Sequence, residues 1–453
     1  MSDLMSLLSL GSAGITAQNA GISIATNNVA NANTEGYSRQ RVDLESLLAS
    51  PFVGGVRSGD PDRMQNNLLA SRIRTTAGSL SMSRTFSSAV LDIEQRLGAG
   101  TSIQERLGTL FSRINTVSAS PTDATARTAA VTATTDLVEG IRDRASELES
   151  ARGDSNTRIG DSARAATELA ARLADANTAI AKTNDPVMRD ERDRIAGKLS
   201  ELVGGDARID GDGQMRFVLD GGGVLVDGGH AAKLVGTPDA ATKDLKLELV
   251  DGASRRDVSS GIGGGAIGAE LKVRDVTITR AQADLDQLAF DVANSFNATH
   301  TANAGLDGVS GRTMFVAPTS LIGAAKALAV DPGLAADPSQ LATAAPGSGP
   351  GDNTGALALF ALANANVATG GKTLTSAAIE LSASIGAEAS AATSAVTRDT
   401  LVADHLAGLR DSLAGVDVQE ELTNLARFEH ASSAMAKFVS TIDSLLGNLI
   451  DRL

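Results

Sequence analysis

Apolar residues at both ends of this 453-residue chain recur with the seven-residue period of a coiled coil. The predicted seam consists of Leu4, Leu8, Ile15, Ile22 and Val29 in the first segment and Leu425, Phe428, Met435, Val439, Ile442, Leu446 and Leu449 in the second. A sustained repeat of this kind keeps one face of a helix against a partner helix. Two such segments at opposite ends can pair only if the chain folds back on itself. We therefore expect a stalk closed by its own termini, and stalks of this sort usually build assemblies.

The pattern that follows the first helix predicts a mainly α fold. Helical periodicity runs through 68–97 and 103–117, and Pro121-Thr122-Asp123 supplies a helix start with Thr122 or Asp123 as its cap. We expect helix with breaks from there to Thr183, and a further helix over 187–202. The solvent face of that further helix is predicted to carry Asp190, Glu191, Arg192, Asp193 and Arg194.

A small β insert interrupts the helices. From 204 to 268 short alternating runs are separated by glycine, which predicts strands and hairpins, and helix resumes after them. The predicted domains are a terminal coiled-coil assembly domain with paired helices (1–45 and 416–453), a discontinuous helical-bundle domain (46–203, 269–300 and 354–415), a small β module (204–268) and an irregular loop-rich segment with one short helix (301–353).

Composition excludes several classes of partner. The net charge of −14, without a cluster of Lys and Arg, argues against nucleic acid or an anionic membrane as a main partner. Cysteine is absent, so neither disulfides nor cysteine sites are available. The uncharged stretch from Leu4 to Thr34 is interrupted by polar residues and has no run of about 18 apolar residues, so membrane insertion is not expected. The first residues lack the positive charge of a secretory signal.

Fragments that imitate catalytic motifs fail on their context. Gly263 to Gly268 matches the dinucleotide-binding pattern, but a long helix follows where a second strand is needed. Gly370-Gly371-Lys372-Thr373 lacks the leading glycine of a phosphate loop, and Asp210 to Gly213 lacks the later ligands of a calcium loop. The four histidines share no metal-ligand spacing. We therefore expect no catalytic, cofactor-binding or metal site, and no enzyme.

The segment from Ala25 to Gln40 carries the most specific pattern in the chain. Its sequence, ATNNVANANTEGYSRQ, closely resembles the N-terminal signature of bacterial flagellar rod, hook and hook-associated proteins. The signature residues are Asn28, Asn31, Asn33, Thr34, Gly36, Tyr37, Ser38, Arg39 and Gln40. The ending Ser38-Arg39-Gln40 is similar to the hook-associated members, and residues 415–425 and 440–449 resemble the C-terminal segment of the family. Gly36 is expected to adopt a left-handed backbone conformation at a turn.

This resemblance implies a structural role at the junction between the hook and the filament of a flagellum. The implied partners are other copies of the chain, the hook protein, a second hook–filament junction protein, the flagellar type III export apparatus, and an export chaperone bound to the C-terminal helix. The implied location is extracellular, in the flagellum, after export without a cleaved signal peptide. Ser432 stands where the family usually has Tyr in the last helix, so contacts at that position are expected to differ.

Other classes of protein remain as alternatives. A flagellar rod or hook subunit would assemble through terminal helices in the same way, at another position in the flagellum. A soluble helical-bundle signalling protein of the chemoreceptor type is also rich in Ala, Ser, Thr and heptads, but it would run as an uninterrupted hairpin without the β insert at 204–268. A secreted enzyme has no supporting constellation of residues.

Overall fold

The computed structural model describes residues 2–34, 36–47, 55–183 and 185–451, with the backbone alone at Ser2, Asp3, Leu47 and Leu449. The helices in the described residues are numbered in chain order. They are α1 (Ser2–Asn31), α2 (Asn67–Gly98), α3 (Ile103–Ala119), α4 (Ala124–Thr183), α5 (Pro186–Val203), α6 (Gly265–Lys272), α7 (Thr279–Thr301), α8 (Ala324–Ala327), α9 (Pro332–Ala336), α10 (Thr354–Ala361), α11 (Leu374–Ala414) and α12 (Val418–Ile450). A π-helical segment, Val273–Ile278, joins α6 to α7.

The strands form small antiparallel sheets. They are β1 (Gln40–Arg41), β2 (Leu44–Leu47), β3 (Gly55–Ser58), β4 (Asp62–Arg63), β5 (Asp206–Ile209), β6 (Met215–Val218), β7 (Val224–Asp227), β8 (His230–Ala231), β9 (Lys233–Pro238), β10 (Leu245–Asp251) and β11 (Ser254–Asp257). Within the predicted β insert, β5–β8 make a four-stranded sheet and β9–β11 a three-stranded one. Before α2, β1 pairs with β4 and β2 with β3.

Two hydrophobic cores organise the middle of the chain. The first joins α2, α3, the first half of α4, α7 and α11, with Phe296 stacked on Phe111 at 5.7 Å and edge-on to Phe315 at 5.8 Å between ring centroids. The second joins the later half of α4 and α5 to the two larger sheets, through residues such as Leu173 and Phe217. The β strands therefore lie against helices that precede them in sequence, and the division into domains given above stays a prediction.

Helix α4 continues without a break for 60 residues, which corrects the expectation of interruptions. At about 1.5 Å per residue it spans roughly 90 Å. Asp123 caps its start by accepting from the backbone N–H groups of Thr125 and Ala126. Its first half packs into the first core and its second half into the second, and this burial outweighs the cost of about 1 kcal/mol that each glycine inside a helix adds.

The segment 301–353 contains two short helices, α8 and α9, where one was predicted. His300, at the end of α7, is hydrogen-bonded to two points of this segment. Its Nδ1–H donates to the Arg312 carbonyl at 2.7 Å, and its Nε2 accepts from Ala342 N–H at 3.0 Å. Burial lowers the pKa of His300, so the ring is neutral and can accept.

Candidate functional site

The first and last helices pack antiparallel through a row of glycines on α1. Gly11, Gly14 and Gly21, here called the glycine row, are all buried. An added Cβ at Gly21 would lie 2.8 Å from Phe428 Cδ1, and one at Gly14 would lie 2.8 Å from Met435 Cε. At Gly11 it would lie 2.5 Å from Val439 Cγ2. The missing side chains therefore make the space that the apolar residues of α12 fill.

The predicted seam residues of α1 lie beside the glycine row. Five of them are half-buried: Leu4, Leu8, Ile15, Ile22 and Val29. On α12, Leu425, Phe428, Met435 and Val439 are half-buried, and Ile442 and Leu446 are buried. The side chain of Leu449 lies outside the described residues. Ser432 donates from its hydroxyl to Asn19 Oδ1 at 3.3 Å. A role of these residues in contacts between copies stays a prediction.

One end of this helix pair is closed by a buried polar group, the Asn28 cluster, which consists of Asn28, Tyr37, Arg39, Gln40 and Glu421. Asn28 Nδ2 donates to the Gln40 carbonyl at 2.9 Å and to Glu421 Oε2 at 3.1 Å. Its Oδ1 accepts from Gln40 N–H at 3.0 Å and from the Tyr37 hydroxyl at 2.8 Å. The side-chain amide thus uses two donors and two acceptors, which is its full capacity.

Arg39 compensates the charge of Glu421 inside this cluster. Its Nε donates to Glu421 Oε1 at 2.7 Å, and its Nη2 donates to Glu420 at 2.6 Å on the exposed side. The Glu421 side chain is only 4% exposed, whereas that of Glu420 is 53% exposed. A carboxylate this deeply buried is tolerated because it is both paired with a cation and hydrogen-bonded. The N-terminal signature therefore binds the first turn of α12.

The turn between α1 and β1 is built by other signature residues. Asn31 donates to Asn27, and Thr34 N–H donates to the Asn31 carbonyl at 2.9 Å. Gly36 has φ +84°, which confirms the expected left-handed conformation. Asn33 lies exposed in this turn. These residues direct the backbone so that Tyr37 points back toward α1.

Tyr37 and Ser38 connect the turn to the rest of the molecule. The Tyr37 carbonyl accepts from Arg410 Nη2 of α11 at 2.9 Å, and Ser38 N–H donates to Asp190 Oδ2 of α5 at 3.0 Å. Burial, with the negative charges of Asp190 and Glu421, raises the pKa of Tyr37 to about 12. Its hydroxyl therefore remains protonated and available as a donor to Asn28 throughout the neutral range.

The charged run of α5 lies partly inside the structure, so the expectation of a solvent face is wrong for Asp190 and Arg192. Arg63 of β4 donates from Nη1 to Asp190 at 2.8 Å and to Asp193 at 2.9 Å. Arg192 is 2% exposed and donates to the Gly213 carbonyl at 2.7 Å. The helical pattern could not show this burial, because the partner residues, Arg63 of β4 and Gly213, lie outside the helix.

Sequence reasoning also missed the glycine row and the role of Glu421. The sequence does contain a signal for this contact. Gly14 and Gly21 are one heptad apart, and on α12 the same spacing separates Glu421 from Phe428 and Phe428 from Met435. In the described part of the chain, no group of His, Asp and Glu side chains has an arrangement suited to a metal ion. No helix among the described residues combines the length and apolar character needed to cross a bilayer.

Sequence comparison relates the chain to flagellar proteins. Residues 91–315 match the family model described as "Flagellar hook-associated protein FlgK helical domain". A protein of Bacillus subtilis named Flagellar hook-associated protein 1 is 24% identical over 494 residues, an alignment that covers 96% of both chains. The chain belongs to the flagellar hook-associated protein 1 family.

Two further similarities define how far the relationship extends. The protein of the same name from Salmonella typhimurium is 25% identical over 330 residues, which cover 69% of this chain and 59% of that relative. The match thus spans about three fifths of the relative's length. The solved structure of the flagellar hook junction protein FlgK from Burkholderia pseudomallei has a TM-score of 0.69 and 16% identity, covering 76% of this chain and 100% of that one. This likeness confirms the predicted fold class.

Proposed function

We propose that the chain is a structural protein of the bacterial flagellum that joins the hook to the filament by polymerising through α1 and α12. The supporting observation is apolar surface that the helix pair leaves uncovered. Leu422, Phe438 and Leu445 of α12 are 45%, 36% and 51% exposed. A helix with apolar residues on more than one side buries them against further helices. Neighbouring copies in a tube would supply those helices through head-to-tail contacts, which propagate instead of closing.

The partners in this proposal are other copies of the chain, the hook protein and a second hook–filament junction protein. Membership of the hook-associated family supports the choice of flagellar partners. The same structural role supports the inference that the chain is not an enzyme. The predicted seam residues, together with the exposed residues of α12, are the proposed contact surface between copies.

We further infer that the chain leaves the cell unfolded through the type III export apparatus. Segments α1 and α12 would then become ordered on assembly, because a helix with few neighbours gains little packing to offset its conformational entropy. An export chaperone that covers the apolar residues of α12 before export fits this scheme. Chaperone binding that persists in a chain lacking residues 416–453 would exclude that part of the proposal.

Electron microscopy of a deletion strain tests the function. We expect hooks without filaments and flagellin released into the medium, with filaments restored by the wild-type chain. The double variant Leu422→Ser, Leu445→Ser should not restore them, because it removes the two most exposed of these apolar residues from the proposed contact surface. The control Ile322→Ser, at a loop residue 88% exposed before α8, should restore them. Filaments on the deletion strain would contradict the proposal, and loss of hooks as well would favour a rod or hook subunit.

A further inference from the structure

Two members of the glycine row, Gly14 and Gly21, do not by themselves fix the register between α1 and α12. Gly14 and Gly21 are seven residues apart, and so are Met435 and Phe428, which fill the spaces at those glycines. A shift of one heptad, about 10.5 Å along the axis, would place Phe428 opposite Gly14. At Gly14 the contact would keep its apolar character, because an apolar heptad repeat is compatible with more than one register, whereas Val439 would lose its place at Gly11.

The Asn28 cluster occupies the next heptad step on both helices. Asn28 follows Gly21 by seven residues, and Glu421 precedes Phe428 by seven. Their side chains are joined at 3.1 Å between Nδ2 and Oε2. Among the described side chains of α1 and α12, Asn28 and Glu421 are the only polar ones that are buried, at 1% and 3% exposure. The polar pair thus distinguishes this heptad step from the apolar steps at Gly14 and Gly21.

A heptad shift in either direction breaks the polar pair. In one direction Glu421 would lie beside Gly21, on a helix that has no charged residue between Leu4 and Thr34. In the other direction Asn28 would face the ring of Phe428. Each shifted arrangement leaves a buried polar group without its partners, which is far more costly than an exchange of one apolar contact for another.

We propose that Asn28, Glu421 and Arg39 determine the register in which α1 and α12 pair. By the same chemistry they favour a partner helix that carries a hydrogen-bond acceptor for Asn28 seven residues before an aromatic side chain. Arg39 acts as a positioning residue, because it holds the Glu421 carboxylate toward Asn28. The inference rests on the proposed function only in treating this helix pair as the assembly element.

Disulfide trapping in the purified full-length chain tests the register directly, because the wild-type sequence contains no cysteine. Ser432→Cys is combined in turn with Asn19→Cys, Ser12→Cys or Thr26→Cys. These three α1 positions are exposed and one heptad apart, and Asn19 contacts Ser432 in the structure. The 19–432 disulfide reports the observed register, and the other two report the two shifted ones. Oxidation at low protein concentration traps pairing within one chain even when pairing is transient.

We expect the 19–432 product to dominate in the otherwise wild-type chain. With Asn28→Leu and Glu421→Leu the shifted products should rise about tenfold relative to it, because an apolar pair no longer distinguishes registers. Glu421→Gln keeps an acceptor for Asn28 and should retain most of the preference. The control Glu429→Leu makes the same chemical change at an exposed position of α12 and should leave the ratio unchanged.

Equal yields of the three products in the wild-type background would overturn the register proposal. So would an unchanged 19–432 preference in the Asn28→Leu, Glu421→Leu chain, or a loss of all three products in that chain. Motility of the deletion strain, complemented with the same chain, tests the proposed function separately. Dominant 19–432 trapping in a chain that fails to restore motility would support the register proposal and reject the proposed function.

Discussion

At the scale of single residues, the contact between the two ends of the chain depends on the absence of side chains as much as on their presence. The glycine row admits Phe428, Met435 and Val439, and the Asn28 cluster closes one end of the pair. The signature residues were found by resemblance. The glycines were not, because a glycine in a heptad position reads as a weak helix former until its opposing residue is known.

Gly21→Ala tests the glycine row. The new Cβ would lie 2.8 Å from Phe428 Cδ1 and Cε1, so the ring must move or the helices must separate. We expect pairing of α1 with α12 to weaken by about 1–3 kcal/mol, as in other overpacked contacts. Amide hydrogen exchange along α1 in the assembled form measures it. Gly447→Ala is the matched control: apart from its sequence neighbours and the backbone of its own helix, no described atom lies within 4 Å of its Cβ position, so it should leave α1 protection intact.

At the scale of elements, α5 shows how pairing with a distant strand changes the meaning of a sequence pattern. Its bounds were predicted closely, since Asp185 and Pro186 mark its start and Gly204 its end. The burial of its charged side chains was not predicted. Strand β4 places Arg63 against a face of α5 that the helical pattern alone assigns to solvent. Side-chain exposure of Arg63 is only 4%. Helix boundaries follow from local chemistry, whereas burial depends on contacts remote in sequence.

Arg63→Met should therefore destabilise the region around α5. It leaves Asp190 and Asp193 without the cation that both carboxylates contact, which typically costs about 3–5 kcal/mol for a buried pair. Urea unfolding followed by circular dichroism measures the loss. Arg57→Met removes an ion pair with Glu45 that is 66% and 59% exposed, and it should change the free energy of unfolding by less than about 1 kcal/mol. Equal effects of the two variants would refute this account of α5.

At the scale of the whole molecule, the pair of helices α1 and α12 joins the rest of the structure where the signature contacts α5, α11 and α12. Tyr37, the one tyrosine of a chain without tryptophan, lies at this meeting point and reports on it without interference. A raised pKa favours the protonated form in the folded state. Its contribution to stability is therefore complete below pH 10, the ordinary value, and is lost as the pH rises through about 12.

Absorbance of the tyrosinate after a rapid pH jump should separate docked from undocked ends. A docked signature gives a midpoint of about 12, and an undocked one gives the ordinary 10.0. We expect the lower value in the free chain and the higher value in the assembled form, because ordering is proposed to follow assembly. Glu421→Gln should lower the docked midpoint only part of the way, since burial is the larger cause. A midpoint of about 12 in the free chain would refute disorder before assembly.

The sequence by itself determined the helical ends, the β insert, the Gly36 turn and the family, because each depends on local backbone preference or on a contiguous motif. Tertiary structure alone decided that α4 is unbroken, that Asp190 and Arg192 are buried, and that glycines line the contact between α1 and α12. These features depend on which distant residues fill a space or neutralise a charge. Periodicity along one segment describes only that segment, so it cannot contain the shape and charge of its partner.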